Sequence, residues 1–451
     1  MNYSRRSFVR LAGTASLAAV SGSYLHGDNK YAPTLEVINP FNRAPVSMII
    51  DDSTCLVNMA HFGIPQFAEV FPDQYKQDWR TLPREIPDSF VREFGEWCIE
   101  NGVKGKYSVV PYPACTGWVN RFIPGWTKTE LQKSLNLIRE VIVPNWDIHP
   151  EMVSHTRVID IKTGKPFPDP KPEYMENWEW SQNKSVDELA AYQAYALSIL
   201  KDAGLVCEGL TTPGGYGSRN QNNLALSTLE AVRDIYQAEI PHFFRDLFTE
   251  KDKSVAPLVL HSSGLEGTDP KCVVSVIGCT GDWFGGWDGL EPGDVNKFLS
   301  SDLSSGRMVE VIESGEPAIM VCHWPGIYFN GKKIGFNILK EIKRRLDQKY
   351  DSLIWMKLGE IARYWAAKEL TKISLENDKI TLYAPFSAEG FTLRITNLKV
   401  NPPFLITSNN QKRPLERVKT RNDLKEFTWY SDKKESFICL NLKNGSSTIS
   451  I

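Results

Sequence analysis

Asp51 and Asp52 end the apolar run Val46-Ser47-Met48-Ile49-Ile50, and His149 and His155 follow about a hundred residues later. A strand interior gives nothing back for two adjacent carboxylates, because burying a charge without a partner or a metal is costly. The pair therefore reads as a site. At the exit of a strand in a β/α barrel, one carboxylate can hold a metal while its neighbour takes a proton from water. These residue types point to metal-assisted hydrolysis.

The elements around them must bring those residues together. Between about residues 40 and 370, short β-rich runs alternate with helix-period segments, which predicts parallel strands joined by crossover helices. The strand candidates are Val46 to Ile50, Gly105 to Pro111, the stretch reaching His155, Gly204 to Thr212, Leu258 to His261, Val273 to Cys279, Ala318 to Cys322 and Ser352 to Met356. Apolar residues at helical spacing mark Glu85 to Asn101, Thr129 to Val143, Ser185 to Ala203, Asn222 to Ala238 and Gly335 to Lys349. Seven or eight such repeats predict a distorted (β/α)7-8 barrel over 31–370. From 371 to 451 strands alternate without long helices, which predicts a small C-terminal all-β domain, a β-sandwich, either packing against the barrel or holding carbohydrate.

The long connection from Asp160 to Lys184, with four prolines and both Trp178 and Trp180, leaves the strand that carries His155. Long connections of this kind are usually functional or disordered, so its tryptophans could wall a substrate groove. A plain surface excursion is the other reading.

The formal net charge of −2 gives no field of one sign, so nothing argues for nucleic acid or an anionic membrane surface. Thirteen Trp suit stacking on sugar rings and suit core packing equally. Ser4-Arg5-Arg6-Ser7-Phe8-Val9-Arg10, followed by the weakly apolar Leu11 to Val20, resembles a twin-arginine export signal over residues 1–30. The apolar stretch is too short to anchor in a bilayer, so a periplasmic or secreted protein is expected. Eight cysteines show no close pairing motif, with Cys272 and Cys279 the local candidates for a bridge; buried thiols are expected for most.

The order of motifs over roughly residues 40 to 360 resembles the polysaccharide deacetylase family, which uses a distorted β/α barrel and a divalent metal to remove acetyl groups from N-acetyl sugars. Ile49-Ile50-Asp51-Asp52-Ser53 matches its first motif, and the resemblance implies that Asp51 is the base and Asp52 a metal ligand. Ser154-His155-Thr156 matches the first half of the second motif, while Ile159 stands where a second histidine belongs. His149 could then supply the missing ligand beside Asp52 and His155; if it points elsewhere, Glu151 or Asp147 could. The donor set suits zinc and is compatible with nickel, cobalt or iron.

The third motif corresponds to Thr211 to Gly217, where Gly214, Gly215 and Tyr216 fit and the arginine that orients the base is absent, unless Arg219 reaches back. A glycine-rich turn there can also offer N–H groups to an oxyanion. Gly281-Asp282-Trp283 resembles the fourth motif, and His323-Trp324 the fifth, whose histidine is the general acid. The implied site is therefore catalytic Asp51 and His323, metal-binding Asp52, His149 and His155, and substrate-binding Gly214, Gly215, Tyr216, Asp282, Trp283 and Trp324. His261 is a further pocket candidate, and His61 and His242 are expected to be structural. The expected reaction is metal-dependent removal of an acetyl group from an N-acetylated carbohydrate. Two alternatives stay open: a metal-independent glycoside hydrolase using Asp52 and Asp282, and a secreted carbohydrate-binding protein without turnover.

Overall fold

The computed structural model describes residues 33–376, 378–398, 401–406, 412–432 and 434–451. The export-signal segment, 1–30, lies outside them. The chain divides into two units, one of Ala44–Ser263 with Lys271–Ala362, the other holding the strand Thr34–Val37, Gly264–Pro270 and Arg363–Ile451.

The first unit is mixed α/β. Its strands are β1 (Ala44–Asp51), β2 (Gly105–Ser108), β3 (Trp146–His149), β4 (Gly209–Thr211), β5 (His242–Leu247), β6 (Leu258–Ser263), β7 (Lys271–Gly278), β8 (Ala318–His323) and β9 (Leu353–Trp355). One sheet runs β8-β1-β2-β3, all parallel, with β9 also paired to β1. A second runs β4-β5-β7-β6, parallel except for the antiparallel edge β6. Burial on both faces explains the near-continuous apolar runs of β1 and β8.

The strands expected in one distorted (β/α)7-8 barrel are thus divided between two sheets, with no closed barrel among the described residues. Between β3 and β4 the ladder shrinks to a bridge, Glu151 opposite Thr211, where the Thr211 N–H donates to the Pro150 carbonyl at 3.0 Å. Between β7 and β8, Cys279 N–H donates to Ile319 O at 2.8 Å and Val321 N–H to Thr280 Oγ1 at 3.0 Å.

Period-two alternation decides what β1 and β2 present. Val46, Met48 and Ile50 join the core that holds Phe90 and Phe94 of the helix Asp88–Glu100. Asp51 comes out on the other side, where Lys106 of β2, which also donates to Ser108 Oγ, meets it, and the alternate Tyr107 packs 5.3 Å from the Trp324 ring. Gly105 lets β1 and β2 close up, since a Cβ there would sit 1.9 Å from the Met48 carbonyl oxygen.

The helices match the periodicity and carry the caps their sequences encode. Thr127 with Glu130, and Ser185 with Glu188, form capping boxes at Lys128–Leu137 and Val186–Asp202. No described helix is long and apolar enough to cross a membrane. All eight cysteines, Cys272 and Cys279 included, are free thiols, and every one except Cys115 is buried.

The second unit contains two five-stranded sheets. One orders Thr34–Val37, Ala388–Thr396, Glu435–Leu442, Thr428–Ser431 and Glu416–Arg417; the other orders Lys372–Glu376, Lys379–Ala384, Gly445–Ser450, Phe404–Ile406 and Lys412–Pro414. The all-β character expected after 371 holds for these sheets, and they also take in Thr34–Val37, which precedes the first unit.

Candidate active site

At the end of β1 the chain turns sharply, and Asp52 adopts a left-handed backbone at φ 58°. Past β3, Met152 and His155 do the same at φ 53° and 64°. Residues without glycine's freedom hold such conformations only where their surroundings impose them, a pattern that clusters at functional sites. Here the turns bring Asp52, Glu151 and His155 together, all buried. His155 Nε2 lies 2.8 Å from Asp52 Oδ1 and its Nδ1 lies 3.4 Å from Glu151 Oε1. Glu151 Oε2 accepts the Asp52 N–H at 2.9 Å.

Glu176, from the proline-rich connection, fixes the loop that carries His155. Its carboxylate accepts the N–H groups of Val153, Ser154 and His155, the last at 2.6 Å, and the hydroxyl of Tyr192. Burial pushes this carboxyl up to about 7 against those hydrogen bonds.

Burial works to raise the Asp52 carboxyl, yet the charge of His155, with His323 and Lys106 behind it, holds it below the usual range. Burial and the nearby Asp51 raise Glu151. For His155, burial pulls downward while Asp52 and Glu151 prevail and carry the imidazole up to about 9. The cluster therefore prefers a positive charge in its centre.

A divalent cation suits these residues. Ligands 2.0–2.1 Å from one tetrahedral cation stand about 3.3 Å apart, so Asp52 Oδ1 and His155 Nε2, 2.8 Å apart, need part by only about half an ångström to share one. His155 Nδ1 is buried and has no hydrogen-bond partner among the described residues. Two carboxylates and an imidazole match zinc and also suit nickel, cobalt or iron.

Two further pairs flank this cluster. Lys106 donates to Asp51 Oδ1 at 2.5 Å. His323, in register with Asp51 on the neighbouring strand, donates from Nδ1 to Asp282 Oδ1 at 2.5 Å. Burial works to lower the His323 imidazole, but Asp282, with Asp52 and Asp51 behind it, pushes it up to about 10. Burial in turn works to raise Asp282, and His323 holds it low.

Of the residues the sequence nominated, Asp51, Asp52, His155, Asp282 and His323 converge, and His149 does not join Asp52 and His155. Its ring is wholly buried in the gap between the sheets, with Nε2 3.0 Å from His242 Nε2 and Nδ1 3.3 Å from Thr211 Oγ1. Gly209 makes room for both rings: a Cβ would lie 2.6 Å from each Nε2. Asp147 accepts the Gly359 N–H at 2.6 Å and lies within ligand distance of that histidine pair. Glu151 takes the place next to Asp52, so the four-residue partner of His155 lies behind it in sequence.

Other nominations also move. Gly214 and Gly215 press against the Asn177 backbone, and the Gly215 N–H donates to Asn177 O at 2.6 Å, so it is not available to an oxyanion. Tyr216 is fully buried with its ring 6.0 Å from Trp180. Trp283 and Trp324 are core residues with no exposure: Trp283 donates from Nε1 to Asp294 O at 3.0 Å, and Trp324 packs 5.0 Å from Phe90 and 5.1 Å from Phe94. Arg219 pairs with Glu179 on the surface, and the cation on Asp51 is Lys106. His61 donates from Nδ1 to Leu82 O at 2.9 Å, and His261 sits on the antiparallel edge strand β6.

Sequence reasoning passed over Lys106 and Glu176. Lys106 carried a signal, a lone cation inside Gly105 to Pro111; Glu176 carried none. Of the two tryptophans in the long connection, Trp178 packs 5.5 Å from Phe67 and 4.7 Å from Phe71. Phe67 in turn lies 6.5 Å from the His155 ring and 6.0 Å from Trp287. Trp180 packs on Tyr192 instead.

No protein-family profile and no curated protein matches this chain. Solved structures similar to it include a protein described as a polysaccharide deacetylase from Mycobacterium smegmatis, 12% identical, TM-score 0.40, covering 77% of this chain and 99% of its own. Another, described as a polysaccharide deacetylase from Pseudomonas aeruginosa, is 11% identical with a TM-score of 0.33, covering 71% and 90%. A third, described as a glycoside hydrolase/deacetylase from Parabacteroides distasonis, is 9% identical with a TM-score of 0.38, covering 84% and 85%. Their descriptions name the family that the sequence motifs resemble, but at these TM-scores the likeness carries no argument about function.

Proposed function

We propose that this protein is a metal-dependent carbohydrate deacetylase, hydrolysing the amide of an N-acetylated sugar. One observation carries the reading: Asp51 and His323 stand in register at neighbouring strand ends, each with its own charge partner, next to the Asp52, Glu151 and His155 set.

Asp52, Glu151 and His155 would hold the cation, and Asp147 and His149 would not take part. When bound, the cation polarises the acyl carbonyl and makes water more acidic. Asp51 removes a proton from the attacking water. His323, held protonated by Asp282, gives its proton to the amine nitrogen as the C–N bond breaks, so acetate and a free amino sugar leave. Trp178 and Trp287, half-buried and packed on Phe67 beside His155, offer an apolar wall against which a sugar ring can stack. Asp282 is committed to His323, which leaves the glycosidase pairing of Asp52 with Asp282 without support.

The test is acetate release from N-acetylated oligosaccharides by protein stripped of metal and then reloaded with zinc, nickel or cobalt. Activity that needs the added ion and falls at least about 100-fold in both Asp51→Asn and His323→Ala is expected, in line with general acid–base contributions. Turnover indifferent to chelation, or unchanged in both variants, overturns the proposal. The proposal extends to an exported protein on the strength of Ser4 to Arg10; retention in the cytoplasm of cells with an intact twin-arginine pathway would refute that part.

A further inference from the structure

We propose that Lys106 is the positioning residue for Asp51: it ties one carboxylate oxygen back and so keeps the base from closing onto the acid, His323. The inference rests on the reading of Asp51 as the base.

Lys106 is a lysine with no exposure in the middle of a parallel strand. An ammonium in such a place must spend all three of its N–H donors. It does so on Asp51 Oδ1 at 2.5 Å, Ser108 Oγ at 2.6 Å and the Ile50 carbonyl at 3.2 Å. Two of these acceptors belong to β1 and one to β2, so neighbouring strands hold the ammonium from both sides. With no donor left over, Lys106 has nothing to offer a substrate, and its effect must pass through Asp51.

The arrangement of charges gives that effect a direction. β1 lies between β2 and β8, and Asp51 therefore has Lys106 on one flank and, in register, His323 on the other. In the proposed mechanism His323 is the protonated acid, and its Nδ1 donates to Asp282 Oδ1 at 2.5 Å. A carboxylate between two cations goes to whichever holds it better. The bond from Oδ1 to Lys106 decides in favour of the β2 side and leaves the other oxygen, Oδ2, to act as the base. Without it, Asp51 swings to His323, and base and acid neutralise each other as an ion pair. A misplacement of about 1 Å at a reacting group costs on the order of 100-fold.

The experiment compares zinc-loaded wild type with Lys106→Met, Asp51→Asn and the double variant Asp51→Asn/Lys106→Met, reading kcat, KM, bound zinc and the histidine ring signals by NMR. Lys106→Met should keep its zinc and change KM less than about threefold while kcat falls on the order of 100-fold. In the Asp51→Asn background the same substitution should cost less than about threefold, because Lys106 acts only through Asp51. The His323 ring signal should move in Lys106→Met and stay put in the double variant. Equal losses in both backgrounds, or an unmoved His323 signal, overturn the proposal. If Lys106→Met does not fold, Lys106→Gln, which keeps donors but loses the charge, replaces it under the same criteria. Full activity in Asp51→Asn would sink the base assignment instead, and absence of turnover leaves the His323 signal to decide the position of Asp51.

Discussion

Zinc affinity separates the two candidate third ligands, Glu151 and His149. Glu151 touches the cluster twice: Oε1 faces His155 Nδ1 at 3.4 Å and Oε2 accepts the Asp52 N–H at 2.9 Å. Losing a single partner that orients a ligand typically weakens metal binding about 10- to 100-fold. Glu151→Ala removes such support from two ligands as well as a ligand oxygen, so at least about 100-fold and up to about 10,000-fold is expected, or roughly 3–5.5 kcal/mol. Glu151→Gln keeps an acceptor for the Asp52 N–H and should fall between, at about 10- to 100-fold. His149→Gln should change affinity less than about threefold, because its ring is occupied with His242 and Thr211. Competition for zinc against a chromophoric chelator, with a thermal melt of each variant to establish folding, gives the numbers. A folded His149→Gln that loses zinc while Glu151→Ala keeps it would refute the assignment.

Three other outcomes follow from the same geometry. In Asp282→Asn the imidazole of His323 loses the charge that pushes it up to about 10, and the acid must be protonated to work, so the alkaline limb of the kcat profile should move to lower pH; an unmoved limb would exclude His323 as the acid. Burial pushes the Glu176 carboxyl up to about 7 in the folded chain, from about 4.3 when unfolded, so the folded state takes up the extra proton and stability should fall as pH rises through that window; Glu176→Gln should flatten the dependence in chemical denaturation at pH 4, 5.5 and 7. Gly209→Ala puts a methyl group within 2.6 Å of both His149 and His242 and should lower the melting temperature through an overpacking cost of about 1–3 kcal/mol; an unchanged melt would mean the two rings are free to part.

What the sequence disclosed was what repeats or what is costly to bury. Alternating apolar runs located most of the parallel strands, and Asp51 and Asp52 were visible because two acids ending a strand have no structural use. The strand His242–Leu247 was missed because His242, Arg245 and Asp246 break its apolar run. His149 was drawn into the site by type and proximity in sequence; on β3 it falls in the gap between sheets, and only the turn after Pro150 decides that Glu151 comes forward. Trp283 and Trp324 follow strand ends as pocket residues do, and a register seen only in three dimensions puts them in the core. Glu176 acts from twenty-one residues beyond His155 through backbone N–H groups, which no side-chain pattern announces.

The bridge of Glu151 to Thr211 has a consequence for how the molecule breathes. Glu151, which belongs to the proposed cation site, is also where the two sheets of the first unit meet. A cation bound there would clasp the seam, and the amide protons of Glu151, Thr211 and Thr212 would report occupancy by slowed exchange with deuterated solvent, even for a variant that turns nothing over.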